Sequence, residues 1–271
     1  MRSLPTLANP ILLTAVALAT LATPTPAQGQ DKFEIEVYQY ETAPRGAWEL
    51  ETHANFTARG TRVPDGIVAP TDNQFHLAFE LTRGLTDFWE ISAYVLTAHR
   101  SDAGAEFAGW RLRSRLRLPE SWKLPVNVSL SGELGLPRPV YGENSLAFEF
   151  TPILEKRIGP VQLDLNLSLE RDLQGPEARE GWEFEPAGRV AVDLSPRLAL
   201  ELEYFGALGH LSDPLPANAQ VHQFYPGVDL RLGDDVEWNL GVGVGATSAG
   251  NQLVFKTMFE VPIGGRSDHE P

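Results

Sequence analysis

Val161-Gln162-Leu163-Asp164-Leu165-Asn166-Leu167-Ser168-Leu169 carries Val or Leu at every odd position and a polar residue at every even one. This is the period of a β-strand with one apolar and one polar face. Outward from this stretch the same rhythm recurs, and it predicts twelve strands, over 47–57, 73–83, 87–99, 105–118, 124–136, 144–157, 160–171, 181–194, 197–207, 220–232, 235–246 and 250–263. Such strands close in one of two ways. A soluble protein turns the apolar faces into a core, whereas a membrane barrel turns them toward lipid and keeps the polar faces in its lumen.

The connections decide between them. Arg83-Gly84-Leu85-Thr86, Pro119 to Lys123, Ile158-Gly159, Ser195-Pro196 and Gly233-Asp234 read as tight turns. The intervening connections are mostly longer, including Ala58 to Asp72, Asp172 to Glu180 and Leu208 to Ala219. Short turns alternating with long loops are expected of an outer-membrane barrel, and an even strand count puts both chain ends on the periplasmic side. Greek-key connections in a sandwich give no reason for such sorting. The expected fold is therefore an all-β, transmembrane, antiparallel up-and-down barrel of twelve strands over residues 47–263.

Composition agrees with export. Residues 1–27 read as a cleaved signal peptide, with Arg2, an apolar stretch from Ile11 to Ala22 and a small-residue site at Thr25-Pro26-Ala27. The formal charge of −14 becomes −15 on its removal, because Arg2 leaves and no acid does. Such acidity argues against nucleic acid as a partner. With no cysteine among 271 residues, disulfides and thiolate chemistry are excluded. No later stretch approaches the roughly 20 apolar residues of a membrane helix. The mean hydropathy of −0.18 does not discriminate, since a barrel with a polar lumen averages the same. Outer-membrane lipid and the barrel-assembly machinery are the expected partners.

Function is sought on the inward parity. Strand four places Arg111, Arg113, Arg115 and Arg117 on one face, about 7 Å apart. Inward acids include Glu49, Glu51, Glu80, Glu90, Glu133, Glu149, Glu201 and Glu203, together with Asp164, Glu170, Glu183, Glu185, Asp229, Glu237 and Glu260. The arginines either orient a dipolar or anionic solute, as charged rings do in pores, or pair with carboxylates to fill and rigidify the lumen. The second reading is preferred. Gly241, Gly243 and Gly245 leave one wall bare, which makes a conduit, admits an inserted segment, or merely eases curvature. Trp48, Trp89, Trp110, Trp182 and Trp238 lie on the apolar parity near strand ends, as membrane-interface aromatics do.

Residues 28–46 precede the first strand. Phe33 to Tyr40 alternates like a strand, but counting it would make the total odd, so the segment is read as a periplasmic lead-in or partial plug. Residues 264–271 form a polar C-terminal tail after Phe259 and Ile263, unlike barrels that end on an aromatic residue.

Glu36-Val37-Tyr38-Gln39-Tyr40-Glu41-Thr42-Ala43-Pro44-Arg45-Gly46-Ala47-Trp48-Glu49-Leu50-Glu51 and Glu80-Leu81-Thr82-Arg83-Gly84-Leu85-Thr86-Asp87-Phe88-Trp89-Glu90-Ile91 resemble the outer-membrane family associated with the meta-pathway of phenol degradation. The resemblance is sharpest over the first hundred residues. It implies a Gram-negative outer-membrane barrel and, more loosely, uptake of small aromatic or apolar compounds.

Enzymatic motifs are weak. No G-x-S-x-G occurs, and His53 and His76 fall on the inward parity, where a barrel phospholipase would need Ser and His facing lipid. The two histidines are read as pairing partners for Glu51 and Glu80. A metal site joining them across the first hairpin lacks a further His at useful spacing, so no metal and no cofactor are expected. The resulting expectation is a passive, narrow channel for small solutes, with a closed structural or surface-binding barrel as the alternative.

Overall fold

The computed structural model describes residues 31–142, 146–233 and 236–263. The expected signal peptide, the first three residues of the lead-in and the polar tail lie outside the described residues. Fourteen β-segments are formed: β1 (Trp48–Arg59), β2 (Gln74–Thr86), β3 (Trp89–Arg100), β4 (Gly104–Arg117), β5 (Asn127–Pro137), β6 (Leu146–Ile158), β7 (Val161–Gln174), β8 (Glu183–Ser195), β9 (Leu198–Ala207), β10 (Gly209–His210), β11 (Asp213–Pro214), β12 (Val221–Arg231), β13 (Glu237–Gly245) and β14 (Leu253–Pro262). Twelve of them make the barrel. Each pairs antiparallel with its neighbour in sequence, and β1 pairs with β14 from Glu49 opposite Pro262 to Arg59 opposite Leu253, which closes the ring. The two-residue β10 and β11 form a small ribbon that hangs from β8 through His210 opposite Glu183.

The alternation puts polar side chains inside and apolar ones outside. His76, Glu80, Glu90 and Glu203 are buried, while Leu112 is 56% exposed, Trp110 52% and Leu200 47%. A water-soluble domain shows the reverse. Burying an aliphatic side chain is worth about 1.5–3 kcal/mol, so an exposed band of this extent favours acyl chains over water by an order of tens of kcal/mol. The molecule is a transmembrane barrel.

Two local departures from simple alternation have physical causes. In β4, Leu96 faces Gly109 and Thr97 faces Phe107, leaving Ala108 as an extra residue. This bulge shifts the parity by one. It keeps both Phe107 and Trp110 on the outer face, their ring centroids 5.1 Å apart, while Ala108 is buried. The second departure is the connection from β4 to β5, predicted as a tight turn, which contains a 3-10 turn at Glu120–Trp122. Pro119 and Pro125 have no N–H to give a ladder, so β5 begins at Asn127 rather than at 124.

At the other end of the barrel the loop between β1 and β2 folds back over the opening. Ala69 donates to the Val140 carbonyl at 2.9 Å, and Val68 and Ala69 are buried.

Candidate functional site

Residues 31–46 run through the lumen from the end that carries the short turns, at Gly46, to the loop end, at Asp31. The segment is extended but has no strand pairing. Buried backbone groups need partners all the same, and lumen side chains supply them. Tyr38 N–H donates to Asn166 Oδ1 at 2.7 Å, and Asn166 Nδ2 donates back to the Tyr38 carbonyl at 2.9 Å, so one amide imitates a neighbouring strand. Val37 N–H donates to Glu203 at 3.3 Å, Tyr40 N–H to Glu155 at 3.1 Å and Ala43 N–H to Glu90 at 2.6 Å. Asn55 donates to the Lys32 and Phe33 carbonyls at 3.1 Å, and Lys256 Nζ to the Ile35 carbonyl at 3.2 Å.

The apolar side chains of the segment also have their own sockets. Phe33 packs with Ala78, Tyr94, Leu96, Ala98, Ala108 and Tyr141. Ile35 and Val37 pack with Ala187, Phe205, Tyr225 and Val254. Where the segment leaves the barrel it crosses β2 at Gly84. A Cβ there would collide with the Ala43 and Pro44 carbonyls, and Gly46 N–H donates to the Gly84 carbonyl at 2.9 Å.

The four arginines of β4 line the wall along which this segment lies. Arg111 pairs with Asp31, with Glu34 at 3.2 Å and with Glu133 at 3.4 Å. Arg113 pairs with Glu34 at 3.0 Å and with Glu80, and its guanidinium lies 4.7 Å from the Tyr38 ring centroid and 5.3 Å from that of Tyr94. Arg115 pairs with Glu90 at 2.7 Å. Arg117 meets Glu41 at 3.4 Å and the Tyr40 ring at 5.4 Å. Every rung thus has an acid, and Asp31, Glu34 and Glu41 come from the lead-in.

Two lumen cations on the same parity were not singled out from sequence. Arg189 holds Asp164 at 3.0 Å, Glu201 at 2.6 Å and Asp229. Lys256 pairs with Glu203. Each is the lone basic residue on its strand, and strand parity alone points both inward.

The acids on β5 to β8 are arranged differently. Glu133 stands opposite Glu149, Glu149 opposite Glu170 and Glu170 opposite Glu183, so four carboxylates form one row across four strands. Arg111 reaches one end of the row, and His210 the other, 3.5 Å from Glu183. Among the described residues no Lys or Arg forms an ion pair with Glu149, Glu170 or Glu185. Like charges directly opposite each other destabilise a sheet. The row faces a cavity of about 340 Å³ whose floor is Glu34, Glu36 and Tyr38 and whose rim includes Val68, Ala69, Tyr141 and Leu215. Lys32 lies beside this floor and donates to the Tyr141 carbonyl at 2.9 Å. Burial pulls its ammonium down to about 8, against the opposing effect of Asp31.

Glu51 stands opposite Glu80 on one side and Glu260 on the other, and Glu49 lies two residues before it. The glycine wall is covered: a Cβ on Gly243 would enter the Tyr225 ring, and one on Gly241 would meet the Lys256 side chain. Gly245 abuts the Asn251 carbonyl. Trp48, Trp89, Trp110 and Trp238 are exposed on the outer wall. Trp182 differs from the expectation, since it precedes β8 and is half-buried against Phe148, with ring centroids 6.2 Å apart. The histidines also differ. His53 faces Glu51, but His76 lies opposite Asn55 and contacts Gln74 at 3.0 Å rather than Glu80. Strand register places His53 and His76 two residues out of step, which separates them.

No family model and no curated protein matches the chain. Among solved structures, an outer-membrane channel from Pseudomonas putida F1 superposes with a TM-score of 0.55 at 14% identity, covering 85% of this chain and 100% of that one. The KdgM porin in complex with disordered oligogalacturonate superposes with a TM-score of 0.52 at 7% identity, covering 80% and 99%. In architecture, then, the chain is similar to the outer-membrane barrels of a channel and a porin.

Proposed function

We propose that this protein is an outer-membrane channel for small solutes, acting passively and without catalysis, whose bore is closed by residues 31–46. The observation that carries this reading is the way the lumen is filled. The lead-in is held by side chains rather than by sheet pairing, and above it lies a cavity of about 340 Å³ facing the loop end. A segment without ladder bonds can leave while every barrel strand keeps its partners. The short-turn end then faces the periplasm and the loops face outward, as in other outer-membrane barrels.

The solute class follows from two features. The acidic row on β5 to β8 favours cationic or dipolar solutes over anions. The resemblance of the first hundred residues to the phenol meta-pathway family adds small aromatic or apolar compounds as candidates. In this reading a signal peptide is removed on export and the barrel-assembly machinery inserts the chain.

The test compares the full chain with a variant lacking residues 31–46, both refolded in detergent and placed in planar bilayers. The full chain should conduct little, and the deletion should raise conductance at least tenfold with cations preferred. A deletion variant that shows heat-modifiable gel mobility, and so is folded, yet passes neither ions nor solutes would remove the channel reading. The closed structural barrel would then stand, a reading that the filled lumen also favours.

A further inference from the structure

We propose that Glu36, Glu51 and His53 form a binding site for one divalent transition-metal ion of the zinc class, which ties the lead-in to β1. The three side chains come from two elements. Glu51 and His53 are two residues apart on β1, so both project into the lumen, and Glu36 reaches them from the segment inside it. One ligand atom from each lies within 4.8 Å of the others. Around a tetrahedral zinc with bonds of about 2.0–2.1 Å, ligand atoms sit about 3.3 Å apart, so Glu36 closes in while the His53 and Glu51 atoms, already in contact, open slightly, by small side-chain rotations.

The state of the histidine points to a ligand. His53 is 1% exposed. Its Nε2 is in direct contact with Glu51 Oε1 as a close ion pair that lacks hydrogen-bond geometry, and neither atom has a hydrogen-bond partner among the other described groups. A buried contact without hydrogen-bond geometry leaves both atoms poorly satisfied, and a cation bridging them would satisfy both.

Charge gives a second reason. At several other lumen carboxylates a Lys or Arg is at hand: Arg115 meets Glu90, Lys256 meets Glu203, and Arg189 meets Asp164 and Glu201, whereas the acids here share with Glu149, Glu170 and Glu185 the lack of one. The nearest guanidinium here, that of Arg113, is spent on Glu34 and Glu80. Among the described residues no Lys or Arg forms an ion pair with Glu36 or Glu51. Two carboxylates and a neutral imidazole balance one divalent cation. The imidazole selects zinc-type ions over magnesium or calcium, which prefer all-oxygen sites. Three protein ligands leave a fourth position for water.

The site stands whether or not the barrel conducts, and its test reads metal alone. Refolded full-length protein is stripped with chelator, titrated with Zn²⁺ or Co²⁺ in detergent, and passed through gel filtration before metal analysis. One equivalent of zinc per chain is expected, with d–d bands of tetrahedral intensity for cobalt. E36Q and H53Q should each weaken binding at least tenfold, whereas H76Q should leave it unchanged. Should H53Q fail to refold, E36Q carries the test, because Glu36 is not part of the barrel wall. Less than a tenth of an equivalent in the wild type would overturn the proposal. So would equal affinity in E36Q and wild type, or binding that disappears in H210Q instead, which would place the metal on the surface beside Glu180 and Glu183.

Discussion

The β4 wall and the wall built by β5 to β8 carry similar densities of charge, but they differ in how that charge is met. On β4 each of the four arginines has a carboxylate, and three of those carboxylates belong to a segment that lies against the wall. On β5 to β8 four carboxylates face one another across adjacent strands, with Arg111 at one end of the row and His210 at the other. The first wall is covered by protein and the second borders the cavity. Matched charge recruits chain into the bore, and unmatched charge keeps a space that water and mobile ions must fill.

The strongest way to break this contrast is to remove the matching. Arg113→Ala with Arg115→Ala strands Glu80 and Glu90 in a buried setting and leaves Glu34 with Arg111 but without Arg113, at about 3–5 kcal/mol for each stranded carboxylate. The temperature at which the folded gel band disappears should fall by about ten degrees or more. Unchanged heat resistance with altered ion preference would mean that the ladder selects solutes rather than docks the lead-in. Gly84→Ala attacks the same docking from the backbone side, because its methyl group would strike the Ala43 and Pro44 carbonyls. Overpacking of this kind costs about 1–3 kcal/mol, and limited proteolysis should then cut within residues 31–46 faster than in the wild type.

Neutralising the acidic row should do the opposite. Glu149→Gln with Glu170→Gln relieves like-charge pairs worth about 0.2–1 kcal/mol each, so heat resistance should hold or rise slightly. Reversal potentials of the lead-in deletion variant should meanwhile move toward zero. A fall in stability comparable to that of the arginine variant would erase the distinction between the two walls.

The smallest effect concerns Lys32. Its pKa is lowered on folding from 10.5 to about 8, so between these values the unfolded chain binds more protons than the folded one. Stability therefore rises with pH across that window and is lowest below about 8. A melting temperature that climbs from pH 8 to 10.5 in the wild type and loses that climb in K32M would sharpen the picture. Identical profiles would detach Lys32 from it.

The barrel itself was legible because its signal is repeated. Val161 to Leu169 alternates without a fault, and its pairing to β8 runs in unbroken register from Val161 opposite Val192 to Glu170 opposite Glu183. The bulge at Ala108 was not legible, since a single extra residue in Phe107-Ala108-Gly109-Trp110 leaves composition untouched while it re-phases the strand. The same limit applied to Trp182, whose packing on Phe148 depends on where β8 starts.

The path of the lead-in was harder still. Its partners, Glu90, Ser129, Glu155, Asn166, Glu203 and Lys256, are spread over six strands, and side-chain partners impose no period on the segment they hold. What the sequence carries is the parity of those partners, which turns the acids inward whether or not a segment lies among them. The histidines show the converse: looking for a second imidazole near His53 passes over Glu36, a residue that only the route of the lead-in brings near.

Gly46 and Ala47 join the enclosed segment directly to β1, the strand that zips to β14. The filling of the bore and the closing of the ring therefore meet at one seam. If β1 meets β14 last, the chain need only be laid inside an open trough before the final ladder forms. The stopper and the clasp are consecutive stretches of polypeptide, so whatever pulls on one is felt at once by the other.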